Sequence, residues 1–212
     1  MKEAAPYVIS VSRMLGSGGI FIGKQLSEKL NIAYFDKEIL FRAAKEFGVS
    51  ETDLQDHDEK PTPLWELFLK SGVLDNPDIY MAPKLNLPSD LQLFEAEGEI
   101  IKSIANERSA VVVGRGGSYI LRDHPRHISV FLYCDAELRK LRIQELFHIT
   151  EKDAKKMITS SDSKRGHHYQ VFTGNVWTDA RQYNICIDTG KISLDDSVEL
   201  ILKYAERKFG VA

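Results

Sequence analysis

The glycines of GSGGIFIGKQL, residues 16–26, are the first feature of the sequence that could do chemistry. They include a literal G-x-x-x-x-G-K that ends at Lys24. A loop that binds phosphate needs glycines, because consecutive backbone N–H groups must converge on the anion where a helix begins. The literal motif does not meet this need, because bulky residues fill its middle and Gln25 replaces the hydroxyl residue that would hold magnesium. We predict that Lys24 is only a charge on the helix surface.

An earlier register makes a better phosphate loop, because GSGG follows the strand-like run YVISVS after only three residues. In this register Gly23 already lies on the helix, where it serves packing. The predicted cofactor-binding residues are Gly16, Ser17, Gly18, Gly19 and Ile20. The plain alternative is a flexible turn without a ligand, but the position between a first strand and a first helix favours the phosphate site.

A dinucleotide site is a minor alternative. Gly16 and Gly18 fit the first glycines of G-x-G-x-x-G, and Asp36 follows after about 20 residues. Phe21 occupies the place of the third glycine. A dinucleotide-binding oxidoreductase is therefore disfavoured.

Two charged residues follow apolar segments that should be strands. Arg115 comes after AVVVG, flanked by Gly114 and Gly116, and Asp36 ends IAYF. Open α/β sheets bind ligands at the carboxyl ends of their strands, so we predict that both residues lie in a binding site. For Asp36, capping of the following helix explains the residue nearly as well.

Two pairs of charged residues have helical spacing. Arg139 and Arg142 are three residues apart, as are Asp162 and Arg165, so each pair shares one helix face. Arginines placed around a transferred phosphoryl group would stabilise its charge, and the pairs suggest such a clamp. For Arg139 and Arg142, salt bridges with nearby glutamates are an equally good interpretation.

The elements that must position these residues alternate between strand and helix. Apolar runs at 7–12, 32–35, 110–114, 128–134 and 184–189 predict strands. The spacing of Ile22, Leu26 and Leu30 predicts an amphipathic helix over about 19–30. This alternation is typical of a parallel sheet covered by helices on both faces.

Two segments interrupt the alternating pattern. Residues 37–108 read as a helical insertion punctuated by prolines, and the polar, charged residues 148–180 read as a lid. The core of a single domain would then comprise 1–36, 109–147 and 181–212.

Composition limits the partners. The 212 residues carry a formal net charge of -3, which gives no basic field for nucleic acid or a membrane surface. There is no membrane-spanning run or signal-peptide pattern, so we expect a cytoplasmic location and small-molecule partners. The two cysteines and six histidines show no ligand spacing, and we predict no metal held by protein side chains.

The chain from about Tyr7 to Ala205 resembles the cytidylate kinase-like family, which is related to the nucleoside monophosphate kinases. The segments that carry the resemblance are ISVSRMLGSGGIFIGKQLSEKLNIAYFDKEIL, AVVVGRGGSYIL, FLYCDAELRKLR, SDSKR and WTDARQYNICIDT. The resemblance implies a three-layer α/β P-loop NTPase fold with a five-stranded parallel sheet, a helical acceptor insertion and a lid.

The resemblance also implies roles for single residues. ATP with Mg²⁺ would bind at the glycines, and an acceptor nucleotide would contact Arg115, Asp162 and Arg165, with Asp36 as a further substrate-binding candidate. Matching the helix that follows the loop puts Gly19 at the usual lysine position and Ile20 at the magnesium-binding hydroxyl position. Arg13 is then the nearest cation, and the predicted catalytic residues are Arg13, Arg139, Arg142 and Arg165.

The function implied is transfer of the ATP γ-phosphate to CMP or dCMP. The missing lysine and hydroxyl leave two alternatives open. One is a nucleotide-binding sensor without turnover, and the other is a kinase of another small metabolite.

Overall fold

Five parallel strands form the centre of the structure, which is a computed structural model that describes residues 5–36 and 90–211. The strands are β1 (Val8–Arg13), β2 (Ala33–Phe35), β3 (Ala110–Val113), β4 (His127–Tyr133) and β5 (Ile185–Asp188). Their order in the sheet is β2-β3-β1-β4-β5. The α/β class and the parallel sheet predicted from the sequence are confirmed.

Six α-helices surround this sheet in the described residues. They are α1 (Gly19–Leu30), α2 (Asp90–Glu107), α3 (Gly117–Ile120), α4 (Ala136–Phe147), α5 (Glu151–Thr173) and α6 (Leu194–Phe209). A single 3-10 turn, Ala180–Gln182, precedes β5. The predicted helix over 19–30 coincides with α1.

Helices cover both faces of the sheet, as expected from strands that are apolar on both sides. On one face, Ile22 of α1 and Ile201 of α6 pack against Ile9 and Val11 of β1. On the other face, Ile101 of α2 packs against Val112. The result is a three-layer arrangement in which all five strands end at the same edge.

Local sequence sets the helix boundaries. Side chains of Asp135, Thr150 and Ser193 accept a backbone N–H at the starts of α4, α5 and α6, which satisfies a donor that the helix leaves without a partner. Helix α1 starts differently: Gly18 precedes it in the left-handed conformation, without a side-chain cap. Its first N–H groups therefore remain open to a ligand.

The predicted insertions are only partly within the described residues. Helix α2 lies in the described part of the 37–108 insertion, while residues 37–89 lie outside the described part of the chain. Helix α5 occupies most of the predicted lid, and its role as a lid stays a prediction. In the described part of the chain, no helix is both long and apolar enough to cross a membrane.

Candidate active site

The glycine loop, residues 14–18, connects β1 to α1 and has an unusual backbone. Gly16 and Gly18 both have φ of +81°, a region that favours glycine. A Cβ atom on Gly18 would lie 2.5 Å from Cδ2 of Leu194, so this position also excludes side chains on steric grounds. Across the described residues, the N–H groups of Gly16, Gly18, Gly19 and Ile20 have no hydrogen-bond acceptor. The loop can therefore offer several N–H groups to one anion.

Ser17 differs from its neighbours in the loop. Its side chain is fully buried, and both its hydroxyl and its N–H donate to the carbonyl of Met14, at 2.8 and 3.3 Å. Ser17 therefore stabilises the turn through these two hydrogen bonds to Met14. Its predicted contact with a cofactor stays a prediction.

The helix that follows the loop fits the earlier register of the phosphate loop. Gly23 is buried, and a Cβ there would come within 2.6 Å of Val113 Cγ2, so this glycine permits close packing of α1 on the sheet. Lys24 is exposed on the helix surface. Both positions agree with the sequence interpretation, and Lys24 is not a loop lysine.

Side chains beneath the loop hold its carbonyl groups. Arg139 donates to the Leu15 carbonyl at 3.2 Å, and Arg142 donates to the Gly16 carbonyl at 3.3 Å. Arg142 also binds the Thr189 carbonyl at 2.8 Å, and the Thr189 hydroxyl donates to the Ser17 carbonyl at 3.0 Å. The carbonyls of three consecutive loop residues are thus held by hydrogen bonds from side chains. For Arg139 and Arg142, contact with a transferred phosphoryl group stays a prediction.

Asp162 also belongs to this support. Its Oδ1 accepts the Leu15 N–H at 2.9 Å, and its Oδ2 accepts Arg139 Nη1 at 2.5 Å. Asp162 does not line the neighbouring cavity described next. The sequence resemblance assigned Asp162 to the acceptor; that contact stays a prediction, and the contact the structure shows is with the glycine loop.

A cavity of about 400 Å³, called the arginine cavity below, opens at the carboxyl ends of the strands. Its lining combines four cations, one carboxylate and several aromatic rings. The lining residues are Ser12, Arg13, Asp36, Gly114, Arg115, Gly116, Lys164, Arg165, His168, Tyr169, Trp177 and Tyr183. The structure thus brings together Arg13, Asp36, Arg115 and Arg165, four of the predicted site residues; their roles stay predictions.

Arg13 enters the cavity through a gap left by two glycines. A Cβ on Gly19 would lie 2.6 Å from Arg13 Cγ, and one on Gly114 would lie 2.0 Å from Arg13 Nη1. Its guanidinium pairs with Asp36 at 3.6 Å. Burial lowers the pKa of Arg13, and the Asp36 carboxylate opposes this shift while the Arg115 charge adds to it. Arg13 therefore lies next to both the loop and the cavity.

Arg165 is one of the two cations that α5 contributes to the cavity, together with Lys164. It donates to the Arg13 carbonyl at 3.3 Å and lies 3.5 Å from Asp162. Burial lowers the pKa of Arg165 to about 10, and the charge of Arg13 contributes in the same direction. Clustered cations that disfavour each other in this way gain stability from a bound anion, as at a phosphate site.

Arg115 is held by a residue that the sequence analysis missed. The three residues Gly114, Arg115 and Gly116 all have positive φ, which turns Arg115 toward α2. There it pairs with Glu97 at 3.5 Å. The Glu97 side chain is almost fully buried, and burial raises the pKa of its carboxyl, an effect that Arg115 partly counteracts. A buried acid in an amphipathic helix is the only sequence signal that could have indicated this pair.

Aromatic rings form part of the cavity wall and are backed by further rings. Trp177 packs edge-on against Phe131, and the Tyr183 hydroxyl donates to the Trp177 carbonyl at 2.5 Å. Phe94 of α2 stacks on Phe172 of α5, and His168 packs against both rings. Trp177 therefore both packs against the sheet and forms part of the cavity wall.

The residues at the glycine loop fit a nucleotide phosphate better than they fit a metal ion. The open N–H groups suit phosphate oxygens, while Ile20 offers no hydroxyl to magnesium. Within residues 5–36 and 90–211, no group of three or more His, Cys, Asp or Glu side chains could hold a metal ion. Magnesium would have to depend on phosphate oxygens and water for most of its ligands.

Comparison with known proteins agrees with this geometry. The sequence profile of the cytidylate kinase-like family matches residues 8–191. No match was found among curated proteins. A crystal structure of an uncharacterized protein from Eubacterium ventriosum is 27% identical with a TM-score of 0.69, covering 94% of this chain and 98% of that one.

Two solved structures of kinases share the fold at low identity. A gluconokinase from Sinorhizobium meliloti is 13% identical with a TM-score of 0.54, covering 98% of this chain and 96% of that one. A shikimate kinase from Bacteroides thetaiotaomicron is 15% identical with a TM-score of 0.50, covering 94% and 98%. These similarities support the P-loop kinase fold.

Proposed function

The chain belongs to the cytidylate kinase-like family, and on this premise we propose that it is a kinase that transfers the γ-phosphate of ATP to a CMP or dCMP acceptor. ATP binds at the glycine loop, and the phosphate of the acceptor binds in the arginine cavity. The observation that carries the proposal is the position of a four-cation cavity beside a loop with open N–H groups. We further propose that the protein acts in the cytoplasm on free nucleotides.

Phosphoryl transfer to a nucleotide depends on correct positioning of the two substrates and on positive charge around the transferred group more than on a general base. The acceptor phosphate oxygen is already ionised at neutral pH, so no group must remove a proton from it. Arg13 lies between the loop and the cavity and takes the place of the missing loop lysine. As a guanidinium, Arg13 can bind two phosphate oxygens at once, which suits a group in transfer. Mg²⁺ would supply further neutralisation of the nucleotide phosphates.

Arg115 and Arg165 hold the acceptor phosphate from two sides of the cavity. Arg115 follows β3, and Arg165 lies on α5. An anion bound by both arginines would therefore stabilise the contact between the sheet edge and the predicted lid. The aromatic wall would exclude water from the opposite side. Exclusion of water protects the γ-phosphate from hydrolysis.

A hydroxyl-bearing metabolite is the alternative acceptor, and Asp36 is the observation that favours it. Asp36 is the only carboxylate among the described residues that line the cavity. A hydroxyl acceptor needs a base in this position, whereas a phosphate acceptor does not. The substitution Asp36→Asn separates the two: it should abolish turnover of a hydroxyl acceptor and leave substantial turnover of CMP.

The test is a turnover assay in which ATP and GTP are each paired with CMP, dCMP, UMP, AMP, shikimate and gluconate in the presence of magnesium. We expect nucleoside diphosphate from CMP or dCMP. If only shikimate or gluconate is phosphorylated, the proposal of a CMP or dCMP acceptor is wrong and a hydroxyl-bearing metabolite is the acceptor. Saturable nucleotide binding by calorimetry, without product from any pair, would instead identify a sensor, which the absence of the loop lysine allows.

A further inference from the structure

We propose that Asp162 is a positioning residue that couples the glycine loop to the arginine cavity, so that binding of the donor nucleotide strengthens binding of the acceptor. This inference rests on the proposed function, since it takes the loop and the cavity as the two substrate sites. It differs from the expectation that Asp162 itself contacts the acceptor.

The first step is the fixation of Leu15. Asp162 accepts the Leu15 N–H at 2.9 Å, and Arg139, which binds Asp162, donates to the Leu15 carbonyl at 3.2 Å. Both polar groups of one loop residue are thus held by a single ion pair. Arg139 is 8% exposed, so these bonds form in a largely desolvated setting, where charged hydrogen bonds are strong.

The second step is packing around the same residue. The side chain of Leu15 packs against a cluster made of Ile143 from α4 and Ala154, Met157 and Ile158 from α5. The loop therefore contacts α5 through both backbone and side chain. A displacement of α5 would break both sets of contacts at once.

The third step leads from Asp162 to the cavity. Arg165 lies 3.5 Å from Asp162 on the same helix, and it both lines the cavity and donates to the Arg13 carbonyl at 3.3 Å. When α5 is docked, Leu15 is fixed and Arg165 is in place. A ligand that stabilises the docked position of α5 therefore favours both contacts, and the resulting change in affinity is the same in both directions.

The experiment measures binding without turnover, by calorimetry with a non-hydrolysable ATP analogue and with CMP. In the wild type, a saturating concentration of the analogue should raise the affinity for CMP by about fivefold or more, a usual size for coupled sites. Asp162→Ala should lower the affinity for the analogue by about tenfold, the scale of a lost charged hydrogen bond. In this variant the analogue should no longer change the affinity for CMP.

Asp153→Ala is the matched control, because Asp153 is an acid on the same helix whose side chain, among the described residues, hydrogen-bonds only to its capping residue, Thr150. It should keep the wild-type coupling. Hydrogen exchange adds a direct readout: the peptide that contains Leu15 should exchange faster in Asp162→Ala and not in the control. If circular dichroism shows that Asp162→Ala does not fold, Asp162→Asn, which keeps one acceptor oxygen, should show a smaller loss of coupling.

Three results would overturn the inference, and they are distinguishable. Unchanged coupling in Asp162→Ala would refute it and leave the proposed function intact. A loss of CMP affinity alone, with the analogue unaffected, would make Asp162 an acceptor ligand. Failure of the wild type to bind either ligand would remove the proposed function, and the inference with it.

Discussion

The glycine loop and the arginine cavity both serve as anion sites in our proposal, but they are built from different groups. The loop offers backbone N–H groups, and its cationic neighbours Arg139 and Arg142 are occupied by loop carbonyls. The cavity offers side-chain cations from β1, the end of β3 and α5. A site made of backbone depends on shape, whereas a site made of side chains depends on charge.

This difference determines how each site should fail. In the loop, an added methyl group does more harm than a lost charge, because two glycines have φ values that other residues rarely adopt. In the cavity, a lost charge does more harm, because side-chain cations supply the attraction for an anion: Arg13, Arg115 and Arg165 pair there with Asp36, Glu97 and Asp162 respectively. The predictions below test this contrast, starting with the largest effect.

Arg13 belongs to both sites, so its loss should have the largest effect. We expect Arg13→Ala to lower kcat by about 100- to 1,000-fold, the scale for removal of one group that stabilises transition-state charge. Steady-state kinetics with ATP and CMP would measure it. Lys24→Ala is the control, since Lys24 is exposed; a large loss there would revive the literal G-x-x-x-x-G-K register.

Gly18→Ala tests the dependence of the loop on shape. The new Cβ would meet Leu194 and the residue would be strained at φ +81°, so we expect about 10- to 100-fold weaker ATP binding and about 1–3 kcal/mol lower stability. Gly174→Ala is the matched control, because it has φ +71° but no atom within 4 Å of the added Cβ. If both variants lose the same amount of stability in thermal unfolding, backbone strain alone, without steric contact, would explain the lower stability of Gly18→Ala.

Arg115→Ala tests the dependence of the cavity on charge. We expect the KM for CMP to rise about tenfold while the KM for ATP changes little, because Arg115 lies away from the loop. Arg122→Ala removes a more exposed arginine beyond α3, and it should leave both constants unchanged. Unchanged acceptor kinetics in Arg115→Ala would show that the acceptor binds elsewhere.

The smallest effect on activity should come from His127, at the opposite end of the sheet. Burial, with the charge of Lys208, lowers the pKa of His127 to about 4, and its ring bonds Ser10 Oγ at 2.7 Å. The unfolded chain, with a pKa near 6.5, therefore binds more protons between about pH 4 and 6.5. Stability should fall by about 2–3 kcal/mol as the pH drops through this window.

Thermal melts at several pH values would measure this loss of stability, and His127→Gln should flatten the dependence between about pH 4 and 6.5. Between pH 7 and 8, kcat/KM of the same variant should equal the wild-type value. A lower kcat/KM of His127→Gln in this pH range would show that the amino ends of the strands also contribute to function.

The core elements were predictable because their signals are local. Apolar runs placed the strands to within a residue or two, and the periodicity of Ile22, Leu26 and Leu30 gave α1. The position of GSGG between β1 and α1 was also a local signal, since the loop needs only the adjacent strand and helix. The prediction that Arg115 and Asp36 lie at the same sheet edge needed only the parallel order of the strands.

The partners of the charged residues were not predictable in the same way. Arg139 and Arg142 looked equally suited to a phosphoryl clamp or to salt bridges with nearby glutamates. In the structure both donate to loop carbonyls, and Arg139 pairs with Asp162; the clamp stays a prediction. Glu97 looked like any acid of a surface helix. The partner of each charged side chain lies on a segment that is distant in sequence, so the local pattern does not identify it.

The sequence by itself therefore determined the α/β core and the position of the glycine loop, because strand alternation, helix periodicity and the conformations open to glycine are properties of short segments. Only the tertiary structure decided what each charge does. Arg13 reaches the cavity because Gly19 and Gly114, distant in sequence, both lack a side chain where it passes. Asp162 faces the loop because α5 packs there, and burial makes such pairings selective by penalising any charge left without a partner.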